Sequence, residues 1–534
     1  MMNEKSGWFL VSALAALTLA CGSEPAASPT DQQQGASGAA QAAGAGAPVA
    51  MAAGRAGTAT QPQGVAGRMS QAGASGAAAV GGSGAVATAG IGAAVPPTAA
   101  GSGGAAAASN GTPAAGAGAP PTTTNPGVDE KLECASKAPA EFEPNPNIGG
   151  GGSQFKDSPH FRIYGASEQA AADAINELEA AYNCYVETLC WRSSGLTFNS
   201  DSDDGPFHKM NIYAVGSLGS AAGQMFSDAP SGLSYLRVVT SYLQDPKVTV
   251  HEYGHALTYH ERGWVEQTRT GAWWETVANF VADTFMTSPI CEASRAKFKV
   301  SEGKTIIELK KVLGDSHQVL VDGSQGSGNY YQAWPFLAYL TNNPDGYAGL
   351  GKTALREMFR EHKGDNETPL HVLERVAMPT KVQTIVGRYW ARMAYVDIGH
   401  KQAQEAFLKD RASLRVANLD AAGSDMFKVK QARAPRYFGA NIIPLTGSGA
   451  ISAKVTSSAG FTATLAIRAD SGAVRYVDLP AGAGEATLAS GEEASLVVVN
   501  TPDALIQYDP FSISGDVARG LDYTVQLTGA TPAS

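Results

Sequence analysis

Three rhythms of apolar and polar positions follow one another along the 534-residue chain. From residue 22 to about 130 there is almost none: Ala, Gly, Ser, Thr, Pro and Gln recur with few aromatic residues. Such a stretch lacks the apolar bulk to offset the entropy of ordering and is expected to be a disordered tether. Order is expected to begin near Glu130. Phe161–Tyr164, Met210–Val215 and Leu233–Tyr242 are β-branched and aromatic runs and read as strands. Between the first two, Glu168–Leu189 repeats Ala172, Ile175, Leu178 and Ala181 on one helical face. Residues 246 to about 420 then read as mainly helical, with segments Ile306–Leu313, Tyr331–Leu340, Thr353–Glu361 and Val382–Tyr395. From about Tyr437 the rhythm changes to short runs separated by Gly, Ser, Asp and Pro. These are Thr462–Ile467, Arg475–Leu479, Glu485–Leu488, Ala494–Asn500 and Tyr523–Thr528, and their spacing predicts a β-sandwich. The expected organisation is therefore an α+β domain over 131–436, a mixed sheet plus a helical half, followed by an all-β sandwich-like domain over 437–534. No internal repeat is visible.

The first twenty residues read as a signal peptide, with Lys5 and an apolar run from Trp8 to Ala20. The run is too short to span a bilayer as a helix. Thr18-Leu19-Ala20-Cys21-Gly22 resembles a bacterial lipobox, with Thr at the position that usually carries Leu. That resemblance implies lipidation of Cys21, so that residues 21–130 form a lipid-anchored tether of an outer-membrane or cell-surface protein; a plainly secreted product is the other reading. The formal charge of −10 argues against a nucleic-acid partner and against electrostatic attachment to a membrane. Four further cysteines, Cys134, Cys184, Cys190 and Cys291, suggest two disulfides in an exported domain. A local Cys184–Cys190 bridge would leave Cys134 to pair with Cys291. The acidic loop Asn199–Gly205 lacks the EF-hand positions for calcium and reads as a solvated turn.

Within the helical stretch stands His251-Glu252-Tyr253-Gly254-His255, a match to H-E-x-x-H. On a helix, residues i and i+4 share a face, so both imidazoles can reach one metal ion. Glu252 lies where it can act on a water at that ion. Asp245-Pro246 supplies an N-cap and a first-turn proline. Gly254 weakens the helix by about 1 kcal/mol against Ala and so predicts a packing reason, such as a second backbone coming close.

A third ligand is needed. The metzincin continuation fails, because its glycine and last histidine positions hold Thr258 and Glu261, and His260 is one residue early. Glu275 follows His255 by twenty positions, in Trp273-Trp274-Glu275-Thr276-Val277-Ala278-Asn279. The two motifs together resemble the gluzincin clan of zinc metallopeptidases, of which thermolysin is a member, over about two hundred residues. With the segment Tyr330–Leu340, the chain also looks like a group of secreted bacterial zincin-like proteins of unknown function. The resemblance implies one catalytic Zn²⁺ held by His251, His255 and Glu275, with Glu261 and Glu266 as alternatives to Glu275. It implies Glu252 as general base, and Asn279 or Asp283 as the group that orients a ligating histidine. Tyr330 or Tyr331 would steady the developing oxyanion, with aromatic packing as the plainer role for either. His362, His371 and His400 are looser candidates. An edge strand just before the zinc helix, here Leu233–Tyr242, would pair with extended substrate, and the active site would lie between the two halves of the 131–436 domain.

The function these residues lead us to expect is a zinc metallopeptidase acting on an extracellular peptide or protein. An inactive zincin-fold adhesion module and a zinc amidase acting on cell-wall crosslinks are the alternatives. Nothing in the sequence speaks to oligomeric state.

Overall fold

The computed structural model describes Leu132, Cys134 and residues 138–533, apart from 263, 265, 266 and 365. The expected signal peptide, Cys21, the tether and Glu266 lie outside these residues. The architecture is mixed α/β with a β-rich C-terminal part, in one compact unit.

The first half holds β1 (Phe155–Asp157), β2 (Phe161–Tyr164), α1 (Glu168–Tyr182), β3 (Met210–Val215), β4 (Gly223–Asp228) and β5 (Leu233–Val239). Ser167 caps α1 by accepting from the Ala170 amide, and the helix runs on into a π-helical stretch, Asn183–Thr188. The five strands form one sheet in the order β1-β2-β3-β5-β4. Neighbours β2, β3 and β5 are parallel, whereas β1 and β4 run antiparallel at the two edges. The strand before the H-E-x-x-H helix is thus an interior strand, contrary to expectation. The edge next to it is β4, which its sequence did not reveal: Gly223-Gln224-Met225-Phe226-Ser227-Asp228 has no β-branched residue and is placed by its pairing with β5.

The second half comprises α2 (Pro246–Glu261), α3 (Gln267–Thr270), α4 (Trp273–Thr287), α5 (Glu292–Lys297), α6 (Leu309–Gly314), α7 (Asn329–Gln332), α8 (Trp334–Asn342), α9 (Ala354–Arg360), α10 (Pro369–Val376), α11 (Val382–Met393) and α12 (Lys401–Asp410). Ile163, Ile212, Leu236 and Val238 of the sheet share a buried cluster with Val250, Tyr253, Ala256 and Leu257 of α2. The segment expected as one helix over Tyr331–Leu340 is two, α7 and α8, parted at Ala333. Pro335 sits in the first turn of α8, where its missing N–H is harmless; further along one continuous helix it would break a bond.

The C-terminal part contains β6 (Leu419–Ala421), β7 (Met426–Val429), β8 (Ala440–Thr456), β9 (Phe461–Arg468), β10 (Val474–Asp478), β11 (Ala483–Leu488), β12 (Glu493–Asn500) and β13 (Thr524–Pro532). They make one hydrogen-bonded eight-stranded sheet rather than two separate ones. The reason is β8, seventeen residues long, which pairs with β12 through its first half, with β11 through its second, and with β13 along the other side. One face of β9 and β12, through Leu465, Ile467, Leu496 and Val498, closes the sheet's own core with Ile451 and Val455. The other face, through Ala466, Val497 and Val499, joins the main core. There Gly387 of α11 lies against Thr462; a Cβ on it would come 2.7 Å from the Thr462 hydroxyl oxygen. The β part is therefore packed onto the helical half.

Among the described residues two disulfides form, Cys134–Cys190 and Cys184–Cys291, and not the local bridge expected from spacing. Cys184 lies in the π-helical stretch and is buried toward Cys291, at the start of α5. Cys190 adopts a left-handed backbone (φ 57°), which turns the chain after that stretch. Disulfides persist in oxidising compartments, which points to an exported protein. Among the described residues no helix is long and apolar enough to cross a membrane. The acidic loop is clasped by arginines: Asp203 pairs with Arg192 at 2.8 Å and Asp201 with Arg262 at 2.9 Å.

Non-reducing peptide mapping is expected to recover Cys134–Cys190 and Cys184–Cys291. Loss of the second bridge, which spans 107 residues, is expected to lower stability by about 5 kcal/mol on loop-entropy grounds, read as a fall in the denaturation midpoint. A Cys184–Cys190 peptide would overturn the pairing.

Candidate metal centre

Helix α2 starts where its sequence says it should. Asp245 accepts from the Lys247 amide at 3.1 Å, and Pro246 occupies the first turn. The helix is buried all round from Thr249 to Glu261. Its partner is α4, and the two come together at Gly254. A Cβ built there would stand 2.9 Å from the Ala278 Cα and 3.1 Å from the Val281 Cβ. Only a hydrogen at that point lets the backbones approach this closely. Glu275 lies one turn before Ala278, and the contact draws its carboxylate to the histidine face of α2.

The result is a compact donor set. Glu275 Oε2 lies 3.3 Å from His251 Nε2 and 3.5 Å from His255 Nε2. The imidazole planes are perpendicular, with centroids 4.8 Å apart. One ligand atom from each of His251, His255 and Glu275 lies within 4.8 Å of the others, and all three side chains are buried. Burial alone would raise the Glu275 pKa, but the charge of His255 and hydrogen bonds from both histidines hold it well below the usual carboxylate range. Burial likewise opposes charge on His251, yet hydrogen bonding to Glu275 and the charges of Glu275 and Glu252 raise its pKa overall.

A model for a family of unknown function, DUF6055, matches residues 158–464. The chain belongs to this family. No curated protein matches it. The DUF6055 match runs from just before β2 into β9, so it takes in strands β2 to β5, the donor set and the start of the C-terminal β part.

In this DUF6055 protein Asn279 orients His251. Its Oδ1 lies 2.8 Å from His251 Nδ1, while its Nδ2 donates to the Tyr331 carbonyl at 2.6 Å. The second bond sets the amide so that the oxygen faces the ring. With Asn279 Oδ1 accepting from Nδ1, the His251 ring is held so that Nε2 faces Glu275. Asp283 goes elsewhere: it accepts from His400 Nε2 at 2.6 Å, Thr305 Oγ1 at 2.7 Å and the Ile306 amide at 2.7 Å. It ties the far end of α4 to the N-cap of α12, where His400 Nδ1 accepts from the Ala403 amide.

The other candidates have local duties. Glu261 is buried at the end of α2, accepting from the Arg192 amide and facing Arg360 at 3.4 Å. His260 bonds Ser234 at 2.8 Å; burial and the nearby Arg192 push its pKa down to about 3. His362 accepts from the Gly364 amide, and His371 completes a capping box with Thr368. Tyr330 and Tyr331 sit half-buried in α7 with rings 4.5 Å apart. Their carbonyls accept from Thr276 and Asn279, which seats α7 along the polar face of α4.

Sequence reasoning missed Gly223, at the start of edge strand β4. A Cβ there would stand 2.6 Å from Glu252 Cγ and 2.8 Å from Oε1. The Glu252 side chain therefore lies directly on the β4 backbone. A glycine inside a strand often marks such an approach, but the signal was lost because the strand itself was not recognised.

Two substitutions test this packing. Gly254→Ala gains helix propensity of about 1 kcal/mol, but its methyl meets the α4 backbone, and overpacking costs about 1–3 kcal/mol. A net loss of stability in thermal melts is expected; an unchanged or higher Tm would show a looser crossing. Gly223→Ala meets a side chain instead of a backbone. It is expected to fold with a lowered Tm and to displace Glu252, seen as a changed Glu252 position in a crystal structure of the variant.

Proposed function

We propose that this protein is a zinc-dependent metallopeptidase of gluzincin type, cleaving bonds in an extracellular peptide or protein. One observation carries the reading: two buried imidazoles and a buried carboxylate converge within 4.8 Å, with Glu252 on the same helix as both histidines. Two His and one Glu make up a donor set suited to catalytic zinc, and three protein ligands leave a position for water. The bond from His251 Nδ1–H to Asn279 suits that role, since it leaves Nε2 to face the centre beside the Glu275 carboxylate, and ligands must present a lone pair or a negative charge. A zinc ion held there supplies Lewis acidity, which polarises a carbonyl and makes water a stronger acid.

The chain's own residues do the rest in this reading. Glu252 takes a proton from the attacking water and passes it to the leaving amine. Tyr330 or Tyr331 donates its phenol to the developing oxyanion. Edge strand β4 offers its unpaired side to an extended peptide, by strand addition that is tolerant of sequence. Gly223 keeps that strand against Glu252, so a peptide paired with β4 lies alongside the general base. Residues 131–436 are on this view a zincin-like catalytic domain, and Cys21 with the tether holds it at the cell surface.

Metal analysis by mass spectrometry on the purified protein tests the reading. One tightly held zinc is expected in the wild type, lost in Glu275→Ala. Glu252→Gln is expected to keep the zinc and lose about 10²–10⁴-fold in turnover on peptides. A folded, zinc-free wild type would overturn the proposal, as would a Glu252→Gln variant that cleaves like the wild type. Cleavage of peptidoglycan crosslinks but of no peptide would move the substrate to cell-wall amides.

A further inference from the structure

We propose that Phe511, carried by the C-terminal β part, forms one wall of a substrate subsite that takes a large apolar side chain of the peptide. This rests on the peptidase reading above and names a specificity-determining residue for it. Strand addition to β4 would bind main chain and would not discriminate between side chains. Selection has to come from groups flanking the cleft.

Phe511 is placed for that work. Its ring lies 6.2 Å from that of Tyr330, edge to face at 77°, and Tyr330 lies 4.5 Å from Tyr331. The rings are thus in successive contact, and the Tyr331 carbonyl accepts from Asn279, the partner of His251. A second contact ties the ring to the start of α4. Gly323 fits between Phe511 and the first residues of α4; a Cβ on it would stand 2.8 Å from the Phe511 ring and 2.7 Å from the Ala272 Cβ. Ala272 precedes Glu275 by three residues.

The loop that carries the ring is pinned. The buried Tyr508 donates to the Val321 carbonyl, and the Gly323 amide donates to the Pro510 carbonyl at 2.9 Å. The Phe511 amide itself donates to Asp509 Oδ1 at 2.9 Å. Yet Phe511 is 41 % exposed, one of four large hydrophobic residues so exposed among the described residues. An aromatic ring held rigid and partly bare loses little freedom on binding, which suits an anchor for an apolar group. The main chain around it is already engaged, so the free surface it offers is the ring.

The test compares Phe511→Ala, Phe511→Leu and wild type on paired peptides that differ by Phe against Ser at each position around the cut. Phe511→Ala is expected to lower kcat/KM about tenfold for the Phe peptide of the responsive position, mainly through KM, and to leave its Ser partner within about twofold. Phe511→Leu is expected to restore most of the loss, with equal zinc content in all three proteins. Equal losses on both peptides, or none on either, would overturn the assignment. The same peptides, dye-labelled, are titrated into Glu252→Gln and into Glu252→Gln with Phe511→Ala. Binding of the Phe peptide about tenfold weaker in the double variant is expected; equal binding, or no binding to either, overturns the subsite. A zinc-loaded wild type that cleaves no peptide would sink the peptidase reading, while this binding comparison still decides on Phe511.

Discussion

The contact between α2 and α4 at Gly254 is the constraint on which the rest of the molecule hangs. Two helices that meet backbone to backbone, with a Cβ excluded by Ala278 and Val281, have little freedom to slide or roll. Because Glu275 sits one turn from the contact and His251 and His255 flank Gly254, the same crossing that closes the core sets the donor atoms. A site built on two rigid helices holds its geometry better than one built on loops. Asp283 extends the restraint, fastening the far end of α4 to residues 305–306 and to His400.

That geometry concentrates ionisable groups where water is scarce. Glu252, Glu275, His251 and His255 are all buried, and a buried charge without compensation costs several kcal/mol. Glu275 and the imidazoles compensate one another, which is why its pKa falls and that of His251 rises. Such mutual stabilisation within a small volume is typical of places built for chemistry or for a cation, more than of places built for stability alone.

The C-terminal sheet changes its meaning once its packing is seen. As an isolated sandwich it would be a mere neighbour of the helical half. With Ala466, Val497 and Val499 in the main core, and the 505–511 segment reaching Val321 and Gly323, it is a buttress for the region beside α7. The family match ending inside β9 agrees with a β part that is continuous with the helical one.

What the chain declared locally was determined by local physics. The spacing of His251 and His255, the Asp245-Pro246 start, the strands β2, β3 and β5, and helices α1, α9 and α11 all follow from short-range periodicity and capping, which need no partner to be read. Gly254 even announced a close neighbour without naming it. Tertiary structure decided whatever depended on a remote partner. Asn279 rather than Asp283 turned to His251, because the amide is bridged to Tyr331 while the carboxylate is claimed by His400. The cysteines paired across the fold because the π-helical stretch and the left-handed Cys190 redirect them. Strand β4 became the edge, with Gly223 beneath Glu252, through pairing that its own side chains barely encode. Sequence periodicity reports which face of an element is apolar; which other element fills that face is a long-range choice, made by the best packing of the whole chain.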